Sequence, residues 1–461
     1  MLCLNIEVFC TEAKFLLKCF QKNNENAIAR CKLVFGNRSD LSLMNIQHVI
    51  AKEYGFNNWK ELTEAEDWQQ IEALVKLKNK TFVSSLQMFR NKTTSATSKN
   101  KLKNPDNFNI DMKNFTDKFG YSFLNFEYLD VSNYDLNELN ITNVQYSEHT
   151  KWPEQETKLP QNFNPKKFLE YRKNPGLGIR QLHKQSIDGR NRNVVVIDSF
   201  RLFDHLEYHN QIKGYEEIHI NENINHVGFN APLVSALVGK SCGVAPKANL
   251  YYYAVDAENR TQIYYAKAIR KVCALHKKLI EDGQNGIDAI LIVKDLSHKV
   301  FQDEDGYYDV VQAAKEVREL GIWCKIGPAR FQEHDLWHED RIYCKFGGNV
   351  DNPDDFLLCK NSALNGVPHS NEDIFRSSLN FPAGAWSHAQ NMSMKDYVFD
   401  YSSGPFGTTY AVGLYLLAKS VYPQLTPDEY WRLGLKNGDF RQGIGTIINP
   451  QKLINELKNN T

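Results

Sequence analysis

After Gly178 the chain alternates short runs of β-branched and aromatic residues with longer amphipathic stretches, and this alternation limits its fold more than any other feature. VVVID (194–198), ANLYYYAV (248–255), IDAILIV (287–293) and IWCKI (322–326) carry apolar residues with little or no polar alternation. Strands of that kind need cover on both faces, which parallel βαβ units provide and half-wet hairpins do not. Segments 232–239, 266–282 and 310–320 read as crossover helices, and 406–422 as a late helix. The expected fold is a three-layer α/β/α domain with a mostly parallel sheet over 176–445, preceded by a small all-α domain.

A chain of 461 residues leaves room for two or three such bodies. Residues 1–78 predict short helices, with Phe15, Leu16, Leu17 and Phe20 forming one apolar stripe and Ile46, Val49, Ile50 and Tyr54 another. Residues 79–107 turn to Lys, Asn, Ser and Thr, a composition that cannot bury enough apolar surface to order itself, and read as a flexible linker. Aromatic residues return in 108–175, which reads as an N-terminal extension, and 446–461 reads as a C-terminal tail.

The 55 basic and 55 acidic residues cancel, so no overall field draws the chain to nucleic acid or to an anionic membrane. The opening segment lacks a basic n-region and carries Glu7 and Glu12 where a signal peptide needs apolar residues. The apolar stretch 410–418 is about half of the roughly 18 residues a membrane span requires. Nine cysteines without a CxxC pair point to reduced thiols and a cytoplasmic protein, and the spacing of Cys3, Cys10, Cys19 and Cys31 does not suit zinc.

No cofactor or metal is expected. His334 and His338, with Glu333, Asp335 and Glu339 beside them, have an i, i+4 spacing that could hold zinc on a helix face. The zinc-protease pattern has Glu where Asp335 stands and needs a third ligand, so the segment reads as a mixed-charge loop. Asp303 to Gly306 is turn composition, too short for a calcium loop.

Three longer strings carry a resemblance: KNPGLGIRQLHKQSIDGRNRNVVVID, NHVGFNAPLVSALVGKSCGVAPKANLYYYAV and YSSGPFGTTYAVGLYLLAKSVYPQLTPDEYW. With DNPDDFLL from Asp351, they resemble the subtilisin-like serine proteases, in the family's order and over roughly 160–440. Separately, LSLMNIQHVIAKEYGFNNWKEL is similar to a short helical module found fused to varied bacterial proteins, in which His48 reads as a packed or capping side chain. The subtilase resemblance implies a Ser-His-Asp triad. Asp198 matches the aspartate, Phe229 stands at the histidine and Pro405 at the serine. A phenyl ring accepts no proton, and proline offers neither a hydroxyl nor the backbone N–H of the oxyanion hole.

After IWCKI, where the family keeps an oxyanion asparagine, stand Gly327, Pro328 and Ala329, with Arg330 as the candidate if the register slips by two. A rescued triad would use His226 with Ser402 or Ser403. His205, His209 and Ser241 read as loop residues. The resemblance therefore implies an inactive subtilase-like protein that binds a polypeptide partner in the former substrate groove. The competing expectation is a divergent, active serine endopeptidase with a displaced triad. Oligomeric state is left open. A carboxylate that has lost its histidine must find other hydrogen bonds or water, and that is expected of Asp198.

Overall fold

The computed structural model describes residues 3–4, 7–22, 25–65, 124–127, 129–139, 144–199, 201–202, 204–218, 230–255, 262–294, 296, 304–327, 338–359, 362, 364, 367–368, 370, 372–390, 395–400 and 406–459. The chain divides into two compact units, 1–166 with 392–398, and 167–391 with 399–461. The expected linker at 79–107 lies outside the described residues.

The first unit opens with β1 (Cys3–Leu4) and four helices, α1 (Glu7–Gln21), α2 (Glu25–Phe35), α3 (Leu43–Glu53) and α4 (Trp59–Glu64). The Ser42 hydroxyl accepts from the Asn45 N–H, and the Asn45 side chain accepts from the Ser42 N–H. That reciprocal cap satisfies two donors that a helix start leaves open and sets where α3 begins. The predicted stripe of α3 is inside, with Ile46, Val49 and Ile50 fully buried. Ser42 takes the capping role, while His48 lies against the Phe35 ring, centroids 5.8 Å apart.

Among the described residues of this unit, β2 (Leu124–Asn125), β3 (Leu129–Asp130) and β4 (Val144–Ser147) follow. β1 pairs antiparallel with β3, and β2 pairs parallel with β4. The N-terminal helices and most of the stretch expected as an extension thus share one unit, joined by a strand pair. Trp152 packs edge-on against Phe126, Tyr146 and Phe163, and the Tyr146 hydroxyl donates to the Pro165 carbonyl at 2.8 Å.

Beyond α5 (Pro165–Tyr171) and α6 (Ile179–Lys184), the second unit builds its main sheet from β5 (Asn193–Ser199), β6 (Ile212–Ile218), β7 (Asn249–Val255), β8 (Ala289–Ile292) and β9 (Trp323–Ile326). The order is β6-β7-β5-β8-β9, and each neighbouring pair is parallel. Helices α7 (Ala231–Val238), α8 (Ile263–Glu281) and α9 (Glu304–Glu319) lie between the strands in sequence. The four strands and three crossover helices predicted from residues 194–326 are all present, with bounds a few residues different.

Side chains alternate between the two faces of this sheet. Val194, Val196, Leu250 and Leu291 share a core with α7 and the late helix, while Val195, Ile197, Ile290 and Ile292 share another with α8 and α9. The remaining chain forms β10 (His338–Cys344), β11 (Phe356–Leu358), α10 (Glu372–Ser377), β12 (Ser378–Gly384), β13 (Trp386–Ala389) and β14 (Tyr397–Asp400). The late helix α11 (Phe406–Val421) follows, then α12 (Pro427–Asn437), β15 (Asp439–Arg441), β16 (Gly445–Ile447) and α13 (Pro450–Asn459). A second, mixed sheet runs β11-β10-β12-β16-β15.

Two expectations are corrected here. Residues from His338 onward are a strand rather than a loop or a zinc-bearing helix: β10 pairs parallel with β12 and buries Ile342 and Cys344. Its charged start hid the strand, because only IYC shows strand composition. The stretch read as a tail carries most of β16 and all of α13, whose Leu453, Ile454 and Leu457 are fully buried.

Every residue of α11 from Phe406 to Ala418 is buried. A helix apolar all round sits inside a core rather than on it. Gly413 is required there, since a Cβ on it would stand 2.6 Å from the Val244 Cβ.

Candidate functional site

β5 ends in Asp198 and Ser199 between β7 and β8, at the carboxyl edge of the parallel sheet. In open α/β sheets that edge is where ligands and reacting groups gather. The Asp198 Oδ1 accepts from the Ser199 N–H at 2.7 Å and faces the Ser199 hydroxyl at 3.4 Å. Lys294, two residues beyond β8, donates from Nζ to the Ser199 Oγ at 2.6 Å. Burial pushes the Asp198 pKa up, and the positive charge of Lys294 and the bonds from Ser199 work against that rise. The carboxylate has acquired the hydrogen bonds expected of it. A charged ammonium only donates, so in this set the group that accepts from the hydroxyl is the Asp198 carboxyl, and no imidazole takes part.

The head of α7 is equally fixed. Asn230, with no exposed surface, donates from Nδ2 to the Arg201 carbonyl at 2.9 Å and to the Tyr252 hydroxyl at 2.8 Å. Burial drives the Tyr252 pKa well up, and the neighbouring Asp198 charge adds to it. The Ser235 hydroxyl donates back to the Pro232 carbonyl at 2.9 Å and accepts from the Ala389 N–H at 3.1 Å, so α7 is bound to β13.

The histidines of the intervening loop serve that loop. His205 is fully buried and its Nδ1 accepts from the Glu207 N–H at 3.1 Å, while the His209 Nδ1 meets the Asp204 Oδ1 at 2.7 Å. The buried Glu207 carboxylate receives the Ser241 hydroxyl at 2.6 Å and the Ser241 N–H at 2.8 Å. Burial, then the Glu207 charge, pushes the adjacent Cys242 thiol well above its usual range. This set ties the loop before β6 to the turn after α7.

Of the residues singled out from sequence, Asp198 stands at the strand end. Phe229, Pro405, His226, Ser402 and Ser403 lie outside the described residues, as do Pro328, Ala329, Arg330 and His334. Gly327 closes β9, its N–H donating to the Ile292 carbonyl at 2.6 Å. Ser199 and Lys294 were missed. A polar residue directly after each of two apolar strands was the available signal, but only the register of β5 with β8 brings the two together.

Among the described residues no cluster of three His, Cys, Asp or Glu side chains comes together, and no described helix is long and apolar enough to cross a membrane.

No protein-family profile matches the sequence, and no curated protein does. Solved structures do show likeness. The PatG macrocyclase in complex with peptide is 13% identical, with 61% of this chain and 95% of that one covered at a TM-score of 0.41. The subtilase cytotoxin SubAB assembly is 12% identical, covering 62% and 96% at 0.44. Fervidolysin from Fervidobacterium pennivorans, a keratinolytic enzyme related to subtilisin, is 12% identical, covering 60% and 44% at 0.41. These are distant likenesses. The α/β/α architecture rests on the strand order and the two cores of the chain itself.

Proposed function

We propose that this chain is a subtilase-like protein without peptidase chemistry, which binds a polypeptide in the groove at the carboxyl edge of its parallel sheet. The observation that carries the reading is the set of partners around Asp198. Among the described residues, the groups that act on this carboxyl are Ser199 and Lys294. In a working triad the aspartate orients an imidazole that accepts the serine proton. In the ammonium–hydroxyl–carboxylate chain of Lys294, Ser199 and Asp198 no imidazole takes part. The phenyl ring expected at Phe229 and the ring expected at Pro405 agree with that loss. A groove that holds an extended peptide through backbone hydrogen bonds does not depend on the triad, so binding can outlast cleavage.

The test is incubation of the purified protein with a fluorophosphonate probe, alongside fluorescein-labelled casein followed by polarisation and by gel. The expected result is no covalent labelling, micromolar binding of the casein and no shortening of it. Labelling that disappears in Ser402→Ala or Ser403→Ala, or cleavage of the casein, establishes the active-endopeptidase reading instead. Absence of casein binding removes the groove from the proposal.

A further inference from the structure

The first unit takes in a piece of chain from far downstream. Besides residues 1–166 it contains Met392–Val398, while Phe399 and Asp400 belong to the second unit. β14 is therefore shared, its first two residues lying in one unit and its last two in the other. Within the first unit, β4 has β2 on one side and β14 on the other. Toward β2, the Phe126 N–H donates to the Gln145 carbonyl at 2.8 Å; toward β14, the Glu148 N–H donates to the Tyr397 carbonyl at 2.9 Å. Val144 and Val398 are both fully buried.

More than that ladder holds β4. The Thr150 hydroxyl donates to the Phe126 carbonyl at 2.7 Å and accepts from the Ser147 N–H at 3.1 Å, and the Val131 N–H donates to the Lys151 carbonyl at 2.8 Å. Past the point where β14 changes unit, Phe399 is fully buried and its ring meets Phe168 edge-on at 5.0 Å, inside the second unit. A segment built to leave a protein has to be continuous, so that one cut frees it, and boundaries of that kind fall in linkers that few contacts cross. Here a cut near Lys166 leaves one strand of the first unit's sheet covalently attached to the second.

We infer that residues 124–166 are a permanent clamp on β14, the strand that leads into α11, and not a leader shed on maturation. A strand supplied by a remote segment binds through backbone hydrogen bonds and the burial of alternate side chains, the same physics by which an added strand completes another protein's sheet. β14 ends at Asp400 and α11 begins at Phe406, so whatever fixes β14 also limits where the chain approaches that helix. The inference does not rest on the proposed peptide binding and stands whether or not the groove takes a peptide.

The experiment places a site for a sequence-specific protease in the exposed turn at Gln161 and Asn162 of the full chain and compares cut with uncut protein. After cutting, the N-terminal piece is expected to co-elute with the remainder on gel filtration, and amide hydrogen exchange over Tyr397–Asp400 to stay as slow as in the uncut chain. Glu148→Pro is the matching variant. Glu148 is the second residue of the turn that the Thr150 N–H closes on the Ser147 carbonyl at 3.1 Å, a place proline fits, and the change removes the donor to Tyr397. In cut protein it should lower the urea concentration that releases the piece and speed exchange over Tyr397–Asp400. Release of the wild-type piece without denaturant overturns the inference. So does retention with fast exchange over Tyr397–Asp400, or a Glu148→Pro piece that leaves at the wild-type urea concentration.

Discussion

The Nζ of Lys294 lies 2.6 Å from the Oγ of Ser199, which in turn faces the Asp198 carboxyl at 3.4 Å, so the last polar residue of one strand is linked to a cation from the next. The arrangement gives Asp198 a fixed counter-charge where a relay would need a group that changes protonation.

The first prediction concerns that carboxyl and pH. Because burial raises the Asp198 pKa, the folded state favours the protonated form; its contribution to stability is largest below the unfolded value and is lost as pH rises through the folded one. Replacing the residue by Asn removes the dependence. Urea denaturation of wild type and Asp198→Asn should show the difference shifting in favour of the variant from about pH 4 upward, beginning near the ordinary carboxyl pKa. Lys294→Met, which removes the opposing charge, should make the dependence steeper. Parallel curves across that range would contradict the assignment.

A second prediction follows from Gly413. Ala at this position places a methyl 2.6 Å from the Val244 Cβ, in a helix with no free side to retreat to. Overpacking of this kind costs about 1–3 kcal/mol. A Gly413→Ala variant should have a lower denaturation midpoint, and the paired change Val244→Ala should recover part of the loss.

Glu207 supplies the third. Its buried carboxylate accepts both the N–H and the hydroxyl of Ser241. Glu207→Ala leaves those donors without their acceptor, at about 1–3 kcal/mol for each stranded group. Glu207→Gln retains an acceptor and should cost less. Equal loss in the two variants, measured by chemical denaturation, would show that volume rather than hydrogen bonding governs the site.

The fourth tests the core beneath β9. Trp323 is 1% exposed and packs against both Tyr415 and Tyr430, at centroid distances of 4.9 and 5.6 Å. Trp323→Ala should destabilise by about 3–5 kcal/mol. Trp323→Phe, which keeps an aromatic contact, should lose less, and calorimetry separates the two.

The main sheet was legible because its central strands are buried on both faces, which leaves long apolar runs such as VVVID and IDAILIV in plain view. The second sheet was not. β11, β15 and β16 have three residues each, and β10 begins with four charged or polar residues, so none shows a period long enough to read. At the site, Asp198 was legible from its place at a strand end. Ser199 with Lys294 and Glu207 with Ser241 were not, because each pair forms through strand register or loop packing that sequence spacing does not encode.

Chain order adds a consequence to the burial of α11. The strands of the main sheet are all made by Ile326, yet α11, which covers Val194, Val196 and Leu291, starts about 80 residues later, at Phe406. During synthesis one side of the new sheet must wait for its lid. At about 5–20 residues per second the delay lasts several seconds, ample time for uncovered valines and leucines to find other chains. Yield of this protein in a cell should therefore depend on holdase chaperones more than its finished stability suggests.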